Sequence, residues 1–226
     1  MTEPTLTLTA REFRDLVTPV IPMAHKDRMM PTINAVLIET RGKYLVASAT
    51  DRFALGFCRV APSEQPTEGL AILVPLASVR QIIAMFRPNR DLDPQLDFTV
   101  EDNGSKLRVQ QGGGAIDFLD ASITFALEQG KWPTLPKIIV AGIESDEPAA
   151  SHIGLNISKL AAFKAAVRFG EPLLIKVGAA DKPVVITAGD HFVGALMPQR
   201  IADSERDGNT AEWLSLLDSV PNKKAA

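Results

Sequence analysis

Apolar and polar residues alternate at two periods along this chain, and the order in which those periods follow one another occurs three times. Leu6-Thr7-Leu8-Thr9 alternates at the strand period, and Phe13, Leu16, Val17 and Val20 then fall at helical spacing until Pro19 and Pro22 end the helix. Three strand-like runs follow, NAVLIET, KYLVASAT and FALGFCRV, with Arg41-Gly42 as a turn between the first two. A second copy starts at AILVP, continues through LASVRQIIAMF with Val79, Ile82, Ile83 and Phe86 on one face, and ends in LDFTVED, KLRVQQ and SITFALE. Asp102-Asn103-Gly104 predicts a hairpin turn between two of these strands. The third copy opens with HIGLNI, places Ser158 to cap the helix KLAAFKAAVRF, and closes with PLLIKVG, KPVVITAG and HFVGALMP. Each copy reads as strand, helix, then antiparallel strands, which predicts an α+β fold with helices on one face of the sheets.

The spacing also divides the chain. Residues 1–137 hold two repeats; the run WPTLPKIIVAGIESDEPAAS, Trp132 to Ser151, is rich in Pro and acid, and residues 138–151 of it read as a linker; residues 152–201 hold the third repeat; residues 202–226 form a polar tail. Within the tail, Thr210 to Val220 is a short amphipathic stretch carrying Trp213, Leu214, Leu216 and Leu217.

A length of 226 residues, 46% hydrophobic and 23% charged, excludes a disordered chain and a rod, and the formal net charge of -3 argues against indiscriminate coating of nucleic acid. The acidic average conceals a segregation. Leu76 to Arg90 contains Arg80, Arg87 and Arg90 without an acid, and Ser158 to Phe169 contains Lys159, Lys164 and Arg168 without an acid. With those helices on one side, that side is basic, which suits a polyanion held through its phosphates rather than read by sequence.

Catalytic signatures are not found. His25, His152 and His191 are the only histidines, none beside a nucleophile motif, and Gly112-Gly113-Gly114 lacks the flanks of a phosphate-binding loop and reads as a hairpin loop. The lone Cys58 reads as a buried hydrophobe, no Cys/His spacing predicts a metal, and no apolar run predicts a signal peptide or membrane span. The expectation is a cytoplasmic, non-catalytic protein without cofactors.

Three segments carry a family resemblance. MAHKDRMMPTINAVLIETRGKYLVASATDRFAL, Met23 to Leu55, resembles the second domain of the bacterial DNA polymerase III beta subunit, the DNA sliding clamp, through Lys26-Asp27, Pro31, Asn34 and Ala49-Thr50-Asp51 followed by Leu55. LEQGKWPTLPKII, Leu127 to Ile139, is similar to that family's interdomain connector, and GALMPQRI, Gly194 to Ile201, to its carboxyl terminus. The resemblance implies a clamp fold of repeated strand-helix-strands units, the first two matching the clamp's second domain and the third the end of its last domain; no segment matches the first domain. It implies a processivity factor in DNA replication that self-associates, holds duplex DNA without sequence specificity, and tethers a DNA polymerase, and a clamp loader, through short peptide motifs. The implied DNA contacts are Lys26, Arg28, Arg80, Arg87, Lys159, Lys164 and Arg168. The implied peptide pocket is Ile33, Thr50, Leu55, Pro133, Lys137, Ile138, Ala195, Met197, Pro198, Gln199, Arg200 and Ile201. Arg52, Phe53, Ala54 and Gln199 depart from the family pattern around that pocket. Three units rather than six leave open a shortened relative that acts as a decoy, adaptor or regulator without forming a ring. Trp213-Leu214-Ser215-Leu216-Leu217 is similar to a clamp-binding peptide, and a short helix packed on the body is its alternative.

Overall fold

The computed structural model describes residues 5–112, 121–202 and 210–218. The first repeat supplies β1 (Leu6–Thr9), α1 (Ala10–Val17), β2 (Ala35–Arg41), β3 (Tyr44–Thr50) and β4 (Ala54–Val60). The second supplies β5 (Ala71–Pro75), α2 (Leu76–Met85), β6 (Gln95–Glu101), β7 (Lys106–Gly112) and β8 (Ser122–Ala126). After α3 (Pro136–Glu144), the third supplies α4 (Ile157–Leu160), continued as a 3-10 turn over Ala161–Ala166, then β9 (Leu173–Lys176), β10 (Val184–Ala188) and β11 (Phe192–Leu196). A tail helix, α5 (Thr210–Asp218), ends the described chain. Gly113, Gly114 and residues 203–209 and 219–226 of the polar tail lie outside the described residues.

Sequence periodicity located the starts of α1 and α2, at Ala10 and Leu76. At α1 the Thr9 hydroxyl accepts from the Glu12 N–H (3.1 Å) while the Glu12 carboxylate accepts from the Thr9 N–H (2.8 Å), a reciprocal cap. In the third repeat the cap is Asn156 rather than the expected Ser158: its side-chain oxygen accepts from the Ser158 and Lys159 N–H groups. Asparagine reaches both donors from two positions earlier, so the helix starts at Ile157 and tightens to 3-10 geometry after Leu160. The turn Asp102–Gly104 forms as expected, with Asn103 and Gly104 in left-handed conformations.

The strands are antiparallel and form two sheets, ordered β1-β6-β7-β8 and β5-β2-β3-β4-β11-β10-β9. The first two repeats exchange their opening strands. β1 pairs with β6, placing Leu8 opposite Leu96, and β5 pairs with β2, placing Val74 opposite Val36. All four side chains are buried. The third repeat joins through the edge of the first: β11 lies along β4 with Gly194 facing Gly56. A continuous core follows, in which Phe13, Leu16 and Phe98 of the first two repeats and Phe163 and Ile186 of the third belong to one cluster. Each such side chain contributes about 1.5–3 kcal/mol on burial.

The stretch expected to be a linker opens with a helix. Pro136 occupies the first helical turn, where its missing N–H costs nothing, and Ile138 and Ile139 lie on the side facing the β4–β11 joint; Ile139 packs with Leu55, Leu135 and Ala195. Pro and acid residues at its ends hid this short apolar face. Among the described residues, no helix is long and apolar enough to cross a membrane.

Cys58 is buried in β4, and its thiol donates to the Asp15 carbonyl (3.3 Å). Burial pushes the thiol from 9.0 up to about 12, with Arg168 pulling weakly the other way. The unfolded chain therefore loses this proton first, so the contribution is intact below pH 9 and falls as pH rises toward 12, by at most about 1.4 kcal/mol per pH unit. Urea unfolding of the protein and of Cys58→Ala between pH 8.5 and 10.5 is expected to show the steeper decline in the parent; parallel slopes would contradict the assignment.

Candidate peptide cleft and basic helix face

The turn between β3 and β4 organises the first candidate site. Thr50 donates its hydroxyl to the Ala54 carbonyl (2.9 Å) and accepts from the Arg52 N–H (3.1 Å), while Asp51 accepts from the N–H groups of Phe53 (3.0 Å) and Ala54 (2.8 Å). These side-chain bonds hold Arg52 at φ 81, a conformation that costs a non-glycine residue about 1–2 kcal/mol. The second Asp51 oxygen pairs with the ammonium of Lys159 at the start of α4, and that ammonium also lies 5.7 Å from the centre of the Phe53 ring. The turn is thereby clamped to the third repeat.

This turn divides the expected pocket into two clefts. On one side Ile33, Thr50, Leu55, Pro133 and Ile138 line a cleft of about 390 Å³, together with Met30, Arg52 and Leu135. On the other, Met197, Pro198, Gln199, Arg200 and Ile201 line a cleft of about 480 Å³ with His152 and Ile153. The Met197 N–H donates to the Phe53 carbonyl (2.7 Å), so the two clefts meet at the turn. Ala195 lies beneath the surface, packed with Leu55, Leu135 and Ile139 as part of the floor. Lys137 faces a separate cavity beside Gly142 and Lys182 rather than either cleft. Leu135 escaped the sequence reading because its signal was the helix now seen at Pro136. The exposed Trp213, Leu214 and Leu217 of α5 line neither cleft.

The second candidate site is the helix layer. α1 packs beside α2, with the Arg14 guanidinium donating to the Ile83 carbonyl (3.0 Å), and the 3-10 turn Ile21–Met23 that follows α1 packs on the 3-10 turn of the third repeat. The three repeats thus contribute to one contiguous row. Lys26, Arg28, Arg80, Arg87, Lys164 and Arg168 are exposed, and none of them forms an ion pair among the described residues. Arg11 instead pairs with Asp93 (3.5 Å). Lys159, expected among the DNA contacts, is engaged by Asp51 and serves the joint between repeats. Of the histidines, His191 is buried; since a carbonyl only accepts, its Nε2–H donates to Ala166 (3.0 Å).

Comparison of the fold adds the context for both surfaces. The chain is similar to the DNA polymerase sliding clamp of Pseudomonas aeruginosa at 14% identity and TM-score 0.69, covering 89% of this chain and 68% of that one. It is similar to the beta subunit of DNA polymerase III from Thermotoga maritima at 14% identity and TM-score 0.68, and to the beta subunit of the DNA polymerase of Streptococcus pyogenes at the same values, covering 89% of this chain and 67% of each. This chain has the fold of a DNA sliding clamp. No family model and no curated protein matches it at the level of sequence. Within the clamp fold, the chain spans about two-thirds of the length of these neighbours, and the matched share runs through all three repeats rather than through the paired first two alone.

Proposed function

We propose that this chain is a non-catalytic accessory factor of a DNA polymerase, a clamp-like protein that holds duplex DNA without reading its sequence and tethers the polymerase through a short peptide. The observation that carries the reading is the row of helices from all three repeats: Arg80 and Lys164 stand on it, and Lys26, Arg28, Arg87 and Arg168 lie in the segments that leave its elements, all six exposed and free of ion pairs among the described residues, on a fold shared with sliding clamps over 89% of the chain. Flexible Lys and Arg side chains on helices meet phosphates at long or water-bridged range, which centres a duplex yet lets it slide. Lys26, Arg28, Arg80, Arg87, Lys164 and Arg168 take this role, and several copies assemble to surround the duplex. The cleft beside the β3–β4 turn takes the peptide: Ile33, Leu55, Pro133 and Ile138 receive apolar side chains, and Thr50 and Arg52 orient the backbone. Retention on closed circular duplex, lost when the circle is cut, tests the reading; a chain that binds clamp-directed peptides but ignores DNA is instead a decoy or adaptor.

A further inference from the structure

We infer that two copies of this chain complete one another through the third repeat, each supplying the strand that the other's sheet lacks. The inference uses the internal repeat alone and stands whether or not the protein binds DNA.

The first two repeats define what a completed unit contains. Each receives, on the outer edge of its second strand, the opening strand of the other: β5 lies on β2 and β1 lies on β6. The third repeat has the same parts without that exchange. Among the described residues, the outer edge of β9 pairs with no strand, and β9 ends the seven-stranded sheet. Among the described residues, its opening segment, Ile153 to Asn156, pairs with no sheet strand either, its one ladder contact there being the bridge from Gly154 to Gln199.

Residue positions can be matched because Gly56 and Gly194 face each other where the first and third repeats join. From Gly56 the register passes to Ala49 and, one residue before the Leu37–Ser48 pair, to Val36, whose outer partner is Val74. From Gly194 it passes to Ile186 and then to Ile175, whose outer partner is missing. Val36 is fully buried, whereas Ile175 is 44% exposed. The helix starts repeat the contrast: Ala10 and Leu76, the first residues of α1 and α2, are 1% and 4% exposed, and Ile157, the first residue of α4, is 74% exposed. Positions that the first two repeats cover for one another are thus bare in the third, and an open edge with apolar side chains is a template for strand addition.

What fits the vacancy is the opening strand of a clamp-type repeat, and the third repeat itself carries one unpaired. A surface that offers both halves of an exchange is self-complementary, and two copies satisfy both vacancies about a two-fold axis. Counting back from the helix start, Leu155 is the counterpart of Leu8 and Val74, so Leu155 of each copy stands opposite Ile175 of the other. The tail helix α5 cannot supply the missing ladder, because a helix uses its backbone donors and acceptors internally.

Cysteine cross-linking tests this register. Full-length Leu155→Cys and Ile175→Cys proteins are purified separately, mixed, and oxidised mildly; buried Cys58 stays unreactive. The mixture is expected to yield at least ten-fold more covalent dimer than either protein alone, and light scattering of the unmodified protein is expected to give a mass that is an even multiple of the chain. Ile157→Glu is expected to halve that mass while leaving the far-ultraviolet spectrum unchanged. A monomeric mass with no cross-link overturns the inference. So does cross-linking that arises only after removal of residues 203–226, since the tail would then be the cover.

Discussion

Replacing Arg80, Arg87, Lys164 and Arg168 together by Glu is expected to weaken binding to duplex DNA of any sequence at least about a thousandfold at 0.1 M salt. Each phosphate contact contributes close to one unit to the slope of log affinity against log salt, so the slope is expected to flatten by about three to four units per chain. Fluorescence anisotropy on two duplexes of unrelated sequence reads both quantities. Folding stability should change little, because all four residues are exposed and form no ion pair among the described residues. Lys159→Glu provides the contrast. It opposes the buried Asp51 carboxylate with a second negative charge, so its expected effect is lost stability rather than a flattened salt slope. An unchanged slope in the quadruple variant would remove the helix row from the DNA-binding surface.

The second large effect is expected at the joint between the first and third repeats. A Cβ at Gly194 would stand 2.5 Å from the Leu55 carbonyl oxygen and 2.7 Å from the Phe163 ring. The oxygen belongs to β4, which is fixed by its own ladder on β3, so little relaxation is open to it. Gly194→Ala is accordingly expected to cost about 3 kcal/mol, at the upper end of overpacking effects, and Gly194→Val more. Gly42→Ala serves as the reference, because Gly42 has a positive φ with nothing within 4 Å of the added atom, and only the conformational cost of about 1 kcal/mol applies. Urea unfolding monitored by circular dichroism compares them. Equal costs at the two glycines would contradict the close approach of β4 and β11.

The contrast between those glycines bears on what the sequence made legible. Strands and helices of the repeats were readable because residues such as Phe13, Leu16 and Val79, Ile82 repeat at the helical period within a few positions of one another. The exchange of β1 and β5, and the β4–β11 joint, were not readable, because strand partners are chosen by long-range packing that leaves no periodic trace; Gly56 and Gly194 are its only local marks, and a glycine in a strand has several meanings. The candidate site divided in the same way. The segments around Thr50-Asp51 and Met197 to Ile201 were found by resemblance and do border neighbouring clefts. Lys137 and Lys159 were assigned by position in a segment, which does not encode side-chain direction; Lys137 lines the cavity beside Gly142 and Lys182, and Lys159 pairs with Asp51.

Closure around DNA is the central claim, and topology tests it more directly than affinity does. Labelled protein is loaded on a nicked circular duplex, passed through a sizing column at 0.3 M salt, and compared with the same DNA cut once by a restriction enzyme. The account predicts that protein travels with the circle and is released by the single cut, since a surrounding assembly leaves only over an end. Equal retention on circular and linear DNA, or none on either, would contradict it.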